Sequence, residues 1–220
     1  MFPIQTLKLF ILVAAMALAF VLRPSQVQAA GPETLTVAGG CFWCVEADFE
    51  QVPGVLGAVS GYTGGKTKDP TYKQVTGGGT GHYEAVQITF DPAKVSRERL
   101  LYLFFRSIDP TDAGGQFCDR GDSYRTAIFV SDKEESALAA QAKAQAQAEL
   151  GQPIVTPILN AETFYPAEEF HQDYYKGGRL VFTRFGPVPQ KKAYKLYRKG
   201  CDRDERVKQL WGDAAPFTDG

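Results

Sequence analysis

Apolar positions along the chain follow two periods, and glycine-rich gaps divide them into elements. Residues 34–38 form a short strand rich in β-branched side chains, while residues 45–52 place Val45, Phe49 and Val52 on one face of a helix. Between Gly61 and Gly81 the periodicity lapses, which predicts a long irregular loop whose Asp69-Pro70-Thr71-Tyr72 turn fixes an aromatic. Alternation returns over residues 82–91, with Val86, Ile88 and Phe90 on one face and Tyr83, Gln87 and Thr89 on the other. Glu84 falls on the apolar face. Ser96 is placed to cap a helix ending near Ile108, where Asp109-Pro110 stops it. A second irregular stretch, residues 111–124, precedes a strand at 126–130 and an alanine-rich helix at 134–150 that Gly151 closes. Residues 154–160 read as a strand that Pro157 demotes to an edge or a bulge, residues 165–176 as a helix with aromatics on one side, and residues 204–211 as a closing helix. Strands and helices mix without a βαβ rhythm, so the fold class is α+β with a mixed sheet and long irregular loops.

The two ends of the chain alter this picture differently. Residues 1–8 are weakly basic, residues 9–22 are almost wholly apolar, and Val27-Gln28-Ala29 carries small residues where a signal peptidase reads. Fourteen apolar residues are short of the ~20 that a membrane span needs, so residues 1–29 are expected to be a cleaved signal peptide, with an uncleaved anchor as the alternative. Export to an oxidising compartment follows, with the periplasm the expected location and no stable membrane association after cleavage. Residues 30–220 are then a single domain with a C-terminal extension. The formal charge of −1 becomes −3 once Lys8 and Arg23 are removed, a mild acidity that argues against nucleic acid as a partner. Four cysteines in a chain of this size are not a disulfide scaffold, so each needs its own explanation.

The chemistry concentrates at Gly39-Gly40-Cys41-Phe42-Trp43-Cys44, where a strand runs out and a helix begins. Unpaired N–H groups and the helix dipole favour an anion there, so Cys41 is expected to titrate below a free thiol's ~8.5. Cys44 lies one helical turn on, placed to form a disulfide with Cys41 once the first sulfur is oxidised. The bland alternative is two cysteines packed as small apolar residues. Neither His82 nor His171 has the local signature of a base paired to a nucleophilic cysteine, and both read as structural. Glu84 is the better acid, because a carboxyl in an apolar wall keeps its proton near neutral pH and can give it to a departing oxygen. Tyr72 and Tyr124 add phenolic donors from two separate loops. Cys118 and Cys201 read either as a structural disulfide or as a relay that carries oxidation outward from Cys44.

Taken in order, Gly40-Cys41-Phe42-Trp43, Pro53-Gly54-Val55, Gly61-Tyr62-Thr63-Gly64-Gly65, Pro70-Thr71-Tyr72, Thr80-Gly81-His82-Tyr83-Glu84, Phe90-Asp91-Pro92, Asp109-Pro110-Thr111, Ser123-Tyr124-Arg125-Thr126 and His171-Gln172 resemble the A-type peptide methionine sulfoxide reductases. The resemblance implies a ferredoxin-like two-layer core and reduction of the S epimer of methionine sulfoxide, free or in oxidised proteins and peptides. It implies that Cys41 attacks the sulfoxide sulfur while Glu84 protonates the oxygen, which Tyr72 and Tyr124 hold. Phe42 and Trp43 would line the methyl pocket, and Asp119 would position polar groups of the substrate. No bound cofactor or metal is implied, only an external thioredoxin-like thiol reductant. Many members carry glycine where this chain has Cys44 and resolve the sulfenic acid from a mobile C-terminal segment, so both Cys44 and Cys201 stand as resolving candidates. A general thiol-disulfide oxidoreductase using the C-x-x-C pair is the rival reading, though it leaves the glycine-rich loop and Glu84 unexplained. Structural zinc is weaker still, because there is only one close cysteine pair.

Overall fold

The structure, a computed structural model, describes residues 31–184 and 186–218, so the expected signal peptide lies outside the described residues. Its centre is a six-stranded mixed sheet in the order β7-β6-β1-β3-β2-β8. β1 (Glu33–Gly39) leads through Gly40 and Cys41 into helix α1 (Phe42–Glu50), and the chain returns as β2 (Val55–Thr63). A glycine-rich loop containing the one-turn helix α2 (Tyr72–Thr76) then precedes β3 (Tyr83–Phe90), which pairs antiparallel with both β1 and β2. Helix α3 (Arg97–Arg106) starts at Ser96, whose hydroxyl accepts the Arg99 N–H as expected of an N-cap. A short hairpin, β4 (Gly115–Gln116) and β5 (Asp119–Arg120), comes before β6 (Thr126–Val130) and the long helix α4 (Lys133–Leu150), which ends at a left-handed Gly151.

The alternation along the strands divides the core into two faces. Leu35, Val37, Val86, Ile88, Phe90, Ile128 and Val130 pack with residues of α1, α3 and α4 in the main core. Ala38, Tyr83, Ala85, Ala127 and Phe129 form a smaller cluster from the alternate positions. β7 (Ile158–Asn160) lies parallel to β6 at one edge, where the missing N–H of Pro157 costs no ladder bond, and is shorter than the expected 154–160 because pairing begins only at Ile158.

Three expectations are corrected. Residues 55–63 form a full strand within and before the stretch read as irregular, and α2 forms inside that stretch because Thr71 and Gln74 build a capping box. Helix α1 opens at Phe42 and ends at Glu50, earlier than the 45–52 of the apolar repeat. Residues 165–176 are not a helix: β8 (Tyr165–Pro166) pairs with β2, and two single 3-10 turns follow, Glu169–His171 and Tyr174–Lys176. The backbone of this segment bonds elsewhere: the Ala167 N–H donates to the Ser60 carbonyl at 2.9 Å and the Asp173 N–H to Glu46 Oε1 at 2.7 Å, while the Gln172 side chain accepts the Ser60 N–H at 3.0 Å and ties the segment to the sheet edge.

Beyond residue 176 the chain folds back over α1. A second hairpin, β9 (Leu180–Thr183) and β10 (Gly186–Pro189), runs into helix α5 (Gln190–Gly200), followed by α6 (Arg203–Trp211), one residue longer than expected. Arg203 donates to the Gly39 and Ser107 carbonyls, and Arg198 forms an ion pair with Asp48 of α1 at 2.6 Å. Among the described residues no helix is long and apolar enough to cross a membrane.

Candidate functional site

Gly40 adopts φ +82°, and a Cβ there would lie 2.5 Å from Cβ of Gln116, so only glycine makes the turn that delivers Cys41 to the N-terminus of α1. Cys41 is the N-cap residue, with the Cys44 N–H donating to its carbonyl at 3.1 Å. Both sulfurs are free and buried. The Phe42 N–H at the helix start donates to Glu84 Oε2 at 3.1 Å, so a carboxyl oxygen already occupies the amide expected to favour a Cys41 thiolate. The expected acidic Cys41 is therefore corrected: burial pushes its thiol up, reinforced by Cys44, Glu84 and Asp119. Cys44 moves down instead, because Cys41 hydrogen-bonds to it and the Arg203 and Arg198 guanidiniums favour its charged form.

Glu84 sits on β3 opposite Tyr62, on the face shared with Val86, Ile88 and Phe90, and is only 1 % exposed. Burial pushes its carboxyl up to about 8, against the opposing Phe42 hydrogen bond. Its Oε1 has no hydrogen-bond partner among the described residues. The carboxyl thus holds one oxygen on a backbone amide and leaves the other to carry a proton.

Aromatic rings wall this point. Phe42 packs against Tyr62, Tyr72 and His171 at centroid distances of 5.8, 6.1 and 5.5 Å. Trp43 stacks on Tyr174 at 3.8 Å and 7°, on His171 at 5.7 Å, and meets the Tyr197 edge at 6.1 Å. Tyr72 is held by its N–H donating to Glu168 Oε1 at 2.9 Å, and its phenol and that of Tyr124 lie close enough to perturb one another. Burial, then the Glu84 charge, raises both phenols, so both stay protonated donors. Asp119 accepts a hydrogen bond from Tyr197 of α5, and burial raises its carboxyl.

The sequence therefore brings Cys41, Phe42, Trp43, Cys44, Tyr72, Glu84, Asp119 and Tyr124 to one place from α1, α2, β3 and the loop 111–124. Cys118 and Cys201 form a disulfide that joins the β4–β5 turn to the end of α5, its sulfurs within 4.8 Å of the Asp119 carboxylate. Beside it runs a groove of about 390 Å³ lined by Thr183, Arg184, Ala193, Leu196 and Tyr197, and Cys41 is not among its walls. Cys41 itself is covered by Tyr174, Val188, Ala193 and Tyr194 and is 6 % exposed.

A family model described as peptide methionine sulfoxide reductase matches residues 33–204. The chain belongs to that family. It is 47% identical over 196 residues to "Peptide methionine sulfoxide reductase MsrA 2" of Rhizobium meliloti, covering 89% of this chain and 91% of that protein. It is 56% identical over 164 residues to an MsrA of Listeria monocytogenes, covering 74% and 93%. Among solved structures, methionine sulfoxide reductase A of Corynebacterium diphtheriae superposes with a TM-score of 0.60 at 30% identity, covering 68% of this chain and 76% of that one. Mxr1 of Saccharomyces cerevisiae in reduced form gives 0.64 at 29% identity, covering 70% and 91%. The α+β fold and the enzyme class, an oxidoreductase that reduces methionine sulfoxide, are those expected from the sequence.

Several residues of this reductase escaped sequence reading. His171, read as structural, lies in the aromatic wall, stacked 4.2 Å from Tyr72, with burial lowering its basicity and its Nδ1 without a hydrogen-bond partner among the described residues. Tyr174 and Tyr197 complete the wall around Trp43. Glu168 positions both Tyr72 and Tyr62, whose hydroxyl donates to Oε2 at 2.9 Å. The aromatic spacing after Phe170 was the available signal, but a helical reading hid it. His82 does act as loop scaffolding: its Nδ1 accepts the Gly65 N–H at 3.2 Å, and Nε2 lies 2.8 Å from the Thr67 carbonyl.

Proposed function

We propose that the site reduces the S epimer of methionine sulfoxide with Cys41 as nucleophile and Glu84 as acid. The observation that carries this reading is the neutral, buried Glu84, anchored on the Phe42 N–H next to Cys41, with an oxygen free to give a proton. Sulfoxide reduction needs a soft nucleophile at sulfur and a proton at the leaving oxygen, and a raised carboxyl supplies the second at neutral pH. The Cys41 sulfur attacks the substrate sulfur to form an S–S bond, Glu84 protonates the oxygen and recovers a proton from the thiol, and the resulting hydroxyl passes from the substrate sulfur to Cys41 as the S–S bond breaks. Methionine leaves and Cys41 becomes a sulfenic acid. Tyr72 and Tyr124 hold the oxygen as its negative charge grows. Phe42 and Trp43 receive the methyl group, and Asp119 orients polar groups of the substrate.

Cys44 then attacks the Cys41 sulfenic acid, releasing water and leaving a Cys41–Cys44 disulfide. The position of Cys44 one turn away needs no large chain movement, and once Cys41, whose hydrogen bond lowers the Cys44 pKa most in the resting protein, is oxidised, the Arg203 and Arg198 guanidiniums still favour the Cys44 thiolate. A thioredoxin-like dithiol closes the cycle by taking up that disulfide's oxidation. Processing at residue 29 and action in the periplasm on oxidised exported proteins complete the reading, supported by the apolar segment at the start of the chain.

The test is turnover of separated S and R epimers of a methionine sulfoxide peptide with dithiothreitol, run beside Cys41→Ser. Turnover of the S epimer alone, lost in the variant, is the expected result. Disulfide exchange without turnover of either epimer would return the chain to the general oxidoreductase reading.

A further inference from the structure

Residues 177–200 contain seven basic side chains and no acidic one, in a protein whose formal charge is −1. Four of them share one exposed arc of α5: Lys191, Lys195 and Lys199 follow at successive turns, and Lys192 lies beside them. The opposite arc, Ala193, Tyr194 and Arg198, is buried. None of the four lysines has an ion pair with a described residue.

The neighbouring hairpin adds an apolar component. Val188 of β10 packs inward with Cys41 and Cys44, and Val181 of β9 joins the same cluster, so Leu180 and Phe182 stand on the outward face. Leu180 is 65 % exposed and Phe182 is 91 % exposed, the two most exposed large apolar side chains among the described residues. Pro189 and Pro187 stand across the ladder from them. The hairpin meets α5 along Ala193, Leu196, Tyr197 and Gly200, to one side of the lysine arc. Leu180, Phe182 and the four lysines are all exposed on these two adjoining elements.

We propose that this face is a reversible, peripheral docking surface for an anionic lipid bilayer, with Leu180 and Phe182 entering the acyl boundary and Lys191, Lys192, Lys195 and Lys199 meeting lipid phosphates. A ridge of two protruding apolar side chains flanked by unpaired lysines matches what interfacial binding requires. An acidic protein partner fits less well, because lysine is depleted in protein interfaces and the hot spots of such interfaces sit in well-packed pockets. The surface lies on the segment that covers Cys41, so docking would present the reductase to oxidised proteins at the membrane. The inference stands on residues 177–200 alone and does not depend on the roles assigned to Cys41 or Glu84.

The experiment places a reporter in the ridge of the full-length protein. Phe182→Trp is mixed with phosphatidylcholine vesicles with or without phosphatidylglycerol, each carrying brominated acyl chains that quench a nearby indole. Quenching beyond that of the parent protein, seen with anionic vesicles, weakened by salt, and reduced about tenfold in apparent affinity when Lys191, Lys192, Lys195 and Lys199 are changed to Glu, is the expected result. The local reporter keeps any contribution of residues 1–29 out of the reading, and turnover with dithiothreitol confirms that each variant is folded. No excess quenching with anionic vesicles overturns the proposal. Unchanged quenching after charge reversal, together with slower turnover by a protein dithiol, also overturns it and gives the surface to an acidic protein instead.

Discussion

The two cysteine pairs divide the chemistry of this reductase by their surroundings. Cys41 and Cys44 sit at the start of one helix, reduced and buried, between a neutral carboxyl and two guanidiniums. Cys118, exposed, and Cys201, half-buried, are joined across 83 residues of sequence and tie a surface turn to a covering helix. Separation in the chain sets the difference. Neighbours one turn apart can make and break a bond without moving the backbone, whereas a bond closing a long loop chiefly restricts the unfolded chain. On the proposed reading the first pair cycles, while the second holds α5, whose Tyr197 bonds Asp119 and meets Trp43.

The largest expected effect breaks the chemistry of the first pair. Glu84→Gln cannot supply a proton and should lower kcat by ~10²–10⁴-fold. In the parent, the carboxyl must be protonated, so kcat measured with dithiothreitol should fall as pH rises through about 8. The same shift has a consequence for stability: a folded pKa above the ordinary 4.5 stabilises the native state fully below that value, and the benefit is lost as pH rises toward 8. Thermal unfolding of Glu84→Gln should therefore vary less with pH over that window than the parent's.

Cys44→Ser sharpens the comparison more finely. One methionine per enzyme should form at the parental rate, after which turnover stalls with Cys41 as a sulfenic acid that dimedone traps. Smaller again is the effect of Cys118→Ser with Cys201→Ser, which should cost about 2–4 kcal/mol in denaturant unfolding while turnover with dithiothreitol persists. The Cys41 thiol should also become easier to alkylate in that variant. Tyr197→Phe, which removes one hydrogen bond to Asp119, should cost about 1 kcal/mol and leave both cysteine pairs in their states.

Local pattern made part of this legible. Glu84 was readable because strand alternation placed a carboxylate among Val86, Ile88 and Phe90, and Cys41 because two glycines precede a helical repeat. β2 was hidden because Gly57, Ser60 and Gly61 interrupt its apolar alternation. Gly61 owes its identity to a distant contact: a Cβ there would lie 2.4 Å from the Phe164 ring and 2.5 Å from the Tyr165 carbonyl. The reversal of the Cys41 pKa was equally out of reach, since it depends on burial under residues 174–197 and on Phe42 being taken by Glu84. Nothing in the local sequence marks Arg198 and Arg203, and only the return of the chain over α1 brings them to Asp48 and Cys44.

In the proposed cycle, oxidation passes from Cys41 to Cys44 and leaves the second pair untouched. Peptide mapping by mass spectrometry after one equivalent of the S-sulfoxide, without added reductant, tests it directly. A Cys41–Cys44 disulfide beside an intact Cys118–Cys201 disulfide is the predicted result. A bridge from Cys41 to Cys201, or from Cys44 to Cys118, would contradict it.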